Sequence, residues 1–460
     1  MIIVAQYLLR PGEHHLDNAG VRVVDGRIAD VGTAAELRER YPYDEFEDFG
    51  MAVITPGFVN AHTHLEYTVM DGIVDDLPYN MWKEDVYDKD QAMTDEDWND
   101  SAMLGAVASL RSGITAFSDV TRREASVLAA RATGLHGVIF REVNALTRDA
   151  VADAVSEADD DIHRWRGMLR GHCVRVGIGP GPLYSTHPDV LTAISDYGMG
   201  GTAVAVHVAA SREECDFFRY GTTPFFVDKH ADGGLRYAQS DSFLPMAVSP
   251  VRYALNWGLF YVPNVMAIHC VHMNTEDIDR LYDNDVRIAI CPRSNARLGC
   301  GVSPLIRFLD RGLTVGLGTN SPAASGSIDM LEEMRFTLML ERAIAGERYE
   351  AGEDTFLSAK QMVNFSTIGA ARAIGLDDEV GSIEVGKRAD LTVHDLSSSN
   401  LVHTASANAC LVHDARSSDV MMTMVDGKPL YRHDKGLLVD VDEERLRARA
   451  VEIRAKLRRA

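Results

Sequence analysis

The chain has 460 residues, 46% of them hydrophobic, enough to bury a large core arranged as two or three domains or as one barrel with additions. A formal net charge of −22 argues against nucleic acid or an anionic membrane as partner. No apolar stretch approaches the ~20 residues that span a bilayer, and residues 1–6 show no secretory signal. The six cysteines are scattered without a C-x-x-C pair, which fits free thiols in a reducing cytoplasm.

In chain order, residues 19–32 alternate around Asp25-Gly26, a hairpin signature. A similar register returns at residues 381–394 and at 420–425 before Asp426-Gly427. The two ends therefore read as one composite β domain, a small β-sandwich of residues 1–55 and 376–440. Residues 56–375 are inserted into it, and a terminal helix follows over 441–460. Within the insert, eight apolar β-like runs end near His64, Asp119, Glu142, Tyr184, His207, His269, Ser294 and Asn320. Helical segments such as 125–134 and 329–346 separate them. Alternating strands and helices imply a parallel sheet, and eight units in roughly 320 residues suggest a (β/α)8 TIM barrel with its chemistry at the C-terminal strand ends. The rival, a doubly wound open sheet, lacks a glycine-rich nucleotide turn: residues 177–181 contain a proline and open no helix.

Two connections are long, Tyr67 to Trp98 and Ser211 to Pro263, and long loops on a catalytic rim are commonly lids or pocket walls. Trp82 on the first, Arg141 and Glu142 at the third strand end, and Tyr184 at the fourth are candidate substrate-binding residues. The long helix near Met330–Leu340 could serve a homo-oligomer interface as readily as the barrel wall.

The most telling motif is His62-Thr63-His64, because residues two apart in a strand point to one side and can meet one metal ion. His207 closes the fifth strand, His269 the sixth and Asn320 the eighth. In a barrel these ends share one mouth, where imidazoles suit Zn²⁺ with a position left open for water. Water on such an ion approaches a pKa of ~7 and becomes a hydroxide nucleophile.

These residues carry a family resemblance. The run Pro56-Gly57-Phe58-Val59-Asn60-Ala61-His62-Thr63-His64-Leu65-Glu66 resembles the amidohydrolase superfamily in its cytosine-deaminase and chlorohydrolase-like branch. So do His269-Cys270-Val271-His272, Cys291-Pro292-Arg293-Ser294-Asn295, Gly318-Thr319-Asn320-Ser321 and the late run from Gly381 to Leu391. The segments at His64-Leu65-Glu66, Phe140-Arg141-Glu142-Val143 and His207-Val208-Ala209-Ala210-Ser211 are most similar to aminodeoxyfutalosine and adenosine-analogue deaminases. The resemblance implies a barrel with one Zn²⁺ or Fe²⁺ per chain and hydrolytic deamination of an aminated heterocycle or nucleoside. It implies His62, His64 and His207 as metal ligands, with Asn320 at a further ligand position. His269 would polarise water or substrate, and His272 is either a supporting site residue or a helix-start histidine.

Two positions depart from the family pattern. Ala210 stands where a glutamate is usual, three residues after His207, and Asn320 stands where an aspartate is usual. General acid–base groups typically contribute about 10²–10⁴-fold each. Asparagine cannot take a proton at neutral pH, and alanine can neither bind nor carry one. Glu213 and Glu214 read as the solvated first turn of a helix, where acids suit the dipole, the alternative being a rearranged loop that brings one of them into the site. The alternatives are removal of chlorine or an alkylamine from a triazine-like ring, and a non-catalytic metal- or ligand-binding chain.

Overall fold

In the computed structural model the described residues are 1–11, 15–221, 247–349, 356–398 and 406–460. Five strands come first: β1 (Ile2–Leu8), β2 (Leu16–Val24), β3 (Arg27–Thr33), β4 (Phe46–Asp48) and β5 (Ala52–Pro56). Eight follow in the insert: β6 (Phe58–Thr63), β7 (Ile114–Thr121), β8 (His136–Val143), β9 (Val174–Pro180), β10 (Val204–Val208), β11 (Val265–His269), β12 (Arg287–Ile290) and β13 (Val315–Leu317). The chain returns with β14 (Leu391–Asp395), β15 (Val420–Val425), β16 (Lys428–Arg432) and β17 (Gly436–Leu437), then a helix over Glu443–Leu457.

Strands β6 to β13 form one parallel eight-stranded sheet in sequence order. Its ends meet through Asn320 N–H donating to the His62 carbonyl at 2.9 Å. Asn60 completes the seam, accepting from Thr319 N–H at 3.0 Å and donating to Thr319 Oγ1 at 2.8 Å. A methyl group at Gly318 would lie 2.6 Å from the His62 nitrogen, so this approach requires glycine. Alternation sorts the side chains. Val59, Ala61, Val138, Phe140, Ala205 and Met266 fill the barrel, whereas Phe58, Ile139, Val204, Val206 and Ala267 face the helices.

The strands from the two termini make a second, nine-stranded sheet, mostly antiparallel, in which β5 pairs both β1 and β14. It has its own core of Ile3, Leu8, Val21, Ile54, Leu391, Val393 and Met422. Because β5 runs into β6 across Pro56-Gly57, the terminal sheet is tied to the first barrel strand. A buried cluster adds to the join. His136, which opens β8, lies 2.9 Å from Asp390 through Nδ1 and 3.1 Å from Asp426 through Nε2. The terminal helix is held against helix Asp95–Arg111 by Arg449, which donates to Asp97 at 2.8 Å and Asp100 at 2.9 Å.

The first long connection is not an open loop: it contains a helix over Tyr79–Asp90. Much of the second, including Phe225, Phe226, Tyr237 and Phe243, lies outside the described residues. Among the described residues, no helix is long and apolar enough to cross a membrane.

Candidate active site

The C-terminal end of the barrel opens into a cavity of about 220 Å³. Its floor carries the histidines. His62 Nε2 and His207 Nε2 lie 3.2 Å apart, and His62, His207 and His269 each offer a nitrogen within 4.8 Å of the other two. His64 stacks on His207 with ring centroids 5.6 Å apart.

Local backbone irregularity delivers these rings. Strict alternation from Val59 and Ala61 would turn His62 and His64 toward the helices. The pairing of β6 with β7 slips between Asn60 and Thr63, and a slip of this kind re-aims side chains at a strand end. His269 and Asn320 have φ of 72° and 57°, and Ala209 and Cys270 are also left-handed. Non-glycine residues in this region carry strain that the surrounding structure must hold, and such positions cluster at functional sites.

Hydrogen bonds fix the ring faces. His64 Nδ1 donates to the Val120 carbonyl at 2.7 Å, and His269 Nδ1 donates to Asn295 Oδ1 at 3.0 Å. Each therefore keeps an Nε2 lone pair for the site. Burial disfavours the imidazolium form of all four histidines and takes His269 down to about 4, so the rings are neutral at pH 7. His62 Nδ1 is buried without a hydrogen-bond partner. Neutral imidazoles crowded nitrogen to nitrogen, two of them with Nε2 freed by a second partner on Nδ1, are a donor set that fits a divalent metal ion.

Asn320 lines the cavity but its carboxamide is engaged. Oδ1 accepts from Ser321 N–H at 2.8 Å, and Nδ2 donates to Ser294 Oγ at 3.1 Å. Ala210 also lines the cavity, and its small side chain leaves room for a residue the sequence placed in solvent. Glu214 folds back from the first turn of helix Arg212–Tyr220 and accepts from Ala209 N–H at 3.0 Å and Ala210 N–H at 2.8 Å. Burial raises its carboxyl to about 7 against the pull of those two donors. Ser211 Oγ, capping the Glu214 N–H at 3.2 Å, sets the turn that permits this.

Trp82, Glu142 and Tyr184 line the cavity. Helix Tyr79–Asp90 supplies a whole wall through Tyr79, Trp82, Lys83, Val86, Tyr87 and Asp90. Their spacing of three and four residues is one helical face, a periodicity diluted in the sequence by the polar residues between them. Lys83 donates to the Tyr184 hydroxyl at 2.6 Å, and burial lowers its pKa to about 8. Arg122, also on the lining, pairs with Glu142 at 2.9 Å.

Two expected site residues, Arg141 and His272, lie off the cavity lining. Arg141 faces the helix layer and donates to Asp161 at 2.7 Å and Glu157 at 3.2 Å. Adjacent strand residues point to opposite sides, so with Phe140 and Glu142 inward Arg141 must go out. His272 is not on the cavity lining; its Nε2 donates to the Cys300 carbonyl at 2.7 Å, pinning the segment after β12.

Residues 53–430 match the amidohydrolase family model. The chain belongs to the amidohydrolase family. Residues 19–42 additionally match the bacterial imidazolonepropionase-like composite domain, within the terminal sheet of this amidohydrolase. The chain is 30% identical over 428 residues to the 5-methylthioadenosine/S-adenosylhomocysteine deaminase of Moorella thermoacetica, covering 92% of each. Its fold is similar to that of a zinc-bound adenosine deaminase from Xanthomonas campestris, with TM-score 0.84, 23% identity and coverage of 100% and 98% of the two chains. It is also similar to the atrazine chlorohydrolase of Arthrobacter aurescens complexed with zinc, with TM-score 0.81, 20% identity and coverage of 98% and 99%.

Proposed function

We propose that this amidohydrolase is a metal-dependent hydrolase that deaminates an aminated heterocycle of the purine nucleoside class. The observation that carries the reading is the 3.2 Å approach of His62 Nε2 to His207 Nε2 beside His64 and His269. His62, His64 and His207 would hold the metal with His269 adjacent, and zinc suits this imidazole-rich set. When bound, the ion would lower the pKa of water to about 7 and make hydroxide available at neutral pH. Support for the substrate class comes from the relatives' deaminase activity and from an aromatic wall of Tyr67, Trp82 and Tyr184 on which a planar ring can stack.

The protein's own groups divide the remaining work. Glu214 is the proton carrier: a carboxyl raised to about 7 is divided between acid and base at neutral pH, and two backbone N–H groups hold it on the cavity wall. Asn320 orients without exchanging protons, because a carboxamide is neither acid nor base at neutral pH; its oxygen accepts from Ser321 N–H. His269, fixed by Asn295, would polarise the reacting carbon's substituent. Glu142, steadied by Arg122, can accept from a substrate hydroxyl or amino group.

Ala210 and Asn320 favour one other reading, binding without turnover. Metal-counted protein assayed for ammonia release from a panel of aminated purines, pyrimidines and their nucleosides separates them. The parent chain should release ammonia, and Glu214→Gln should lower kcat by about 10²–10³-fold with metal content unchanged. Ala210→Glu with Asn320→Asp puts carboxylates at both departing positions, the first in the space Glu214 uses, and should also turn over. Turnover confined to that double variant would establish the binding reading, and halide or alkylamine release in place of ammonia would move the reaction to triazine-type rings.

A further inference from the structure

At the opposite, N-terminal end of the barrel lies a second cavity of about 350 Å³. Its lining is mixed, with the largely buried Phe140, Met266 and Ile374 among its apolar side chains. Its rim carries Arg166, Arg175 and Arg287, and no carboxylate lines it. That concentration of positive charge stands out on a chain of net −22.

The guanidinium groups have neutral partners only. Arg175 donates to the Gly375 carbonyl at 2.6 Å, Arg287 to Asn264 Oδ1 at 3.1 Å, and Arg166 to Thr202 Oγ1 at 3.2 Å and the Val176 carbonyl at 3.4 Å. Among the described residues none of the three forms an ion pair. A guanidinium bonded to neutral acceptors keeps its full charge, and with five N–H donors it keeps donors to spare. Arg175 and Arg287 converge on Gly375. A Cβ built there would lie 2.9 Å from Arg287 Nη1, and Gly375 has a φ of 74° that disfavours any side chain. A side chain at this position would crowd Arg287, so glycine lets both guanidiniums approach the same stretch of backbone.

We propose that this cavity binds a small phosphate monoester. Its dianionic head sits between Arg175 and Arg287, where paired forks match phosphate oxygens. Its compact apolar body packs on Phe140 and Met266. The site is separate from the histidine cluster, which occupies the other end of the same barrel.

Titration calorimetry of the full chain with phenyl phosphate and inorganic phosphate at low salt tests this. One phenyl phosphate should bind per chain, more tightly than inorganic phosphate, and more weakly as salt rises. Arg175→Gln with Arg287→Gln should weaken it by about tenfold or more. Arg166→Gln, at an exposed rim position, should weaken it less and serves if the double variant fails to fold. His62→Ala with His207→Ala should leave the affinity unchanged. The proposal is overturned if phenyl phosphate shows no saturable binding, if it binds no better than inorganic phosphate, or if the arginine variants bind like the parent. Loss of binding in the histidine variant alone would place the probe in the active-site cavity and also overturn it.

Discussion

His136→Gln tests the join between the barrel and the terminal sheet. The imidazole is 2% exposed and touches Asp390 and Asp426, one through each ring nitrogen. Burial works against its charge, but the Asp390 charge and hydrogen bond and the Asp426 hydrogen bond overcome it and raise the pKa from 6.5 to about 10. Asp426 responds in the opposite direction, held down to about 2 by the His136 and Arg388 pairings against its own burial. At about 1.4 kcal/mol per unit the histidine shift corresponds to about 5 kcal/mol, and discounting the partly exposed Asp426 leaves about 3–5 kcal/mol. A raised histidine stabilises fully below its unfolded value of 6.5, and the contribution is lost as pH rises through about 10. Urea unfolding of parent and variant from pH 6 to pH 10 should show the parent's advantage greatest at pH 6 and shrinking by that amount. Other charged groups near the cluster, Arg388 and Glu379, are common to both proteins and cancel in the difference. Stability curves that run parallel across the whole range would refute the imidazolium clamp.

Two further outcomes follow from packing. Gly318→Ala places a methyl 2.6 Å from the His62 nitrogen and 2.8 Å from its carbonyl, which should cost about 1–3 kcal/mol in thermal unfolding and reduce metal retention with it. Cys270 and Cys291 are fully buried with thiols pushed up chiefly by burial, so alkylation of the native protein should leave both unmodified and turnover intact.

The barrel was legible because its strands are short apolar runs separated by helical segments, and the terminal sheet because alternation recurs at both ends. The histidines were legible as strand-end residues. Their aim was not, since it depends on the slip after Asn60 and on left-handed backbone at His269, which no periodicity reports. Arg141 could have been assigned outward from alternation alone, once Phe140 was placed inside. Glu214 was hidden for a different reason: acids in a helix's first turn normally face water. Only the left-handed turn at Ala209 and the missing bulk at Ala210 let this one fold back onto two backbone donors. The helix Tyr79–Asp90 was concealed by polar residues on its outer face.

Metal analysis of protein produced with zinc supplied, parent against His62→Ala with His207→Ala, bears most directly on the account. It predicts about one equivalent of divalent metal per parent chain and almost none in the variant, since a catalytic zinc site rests on about three protein ligands. A parent chain that takes up no metal, or a variant that keeps a full equivalent, would contradict it.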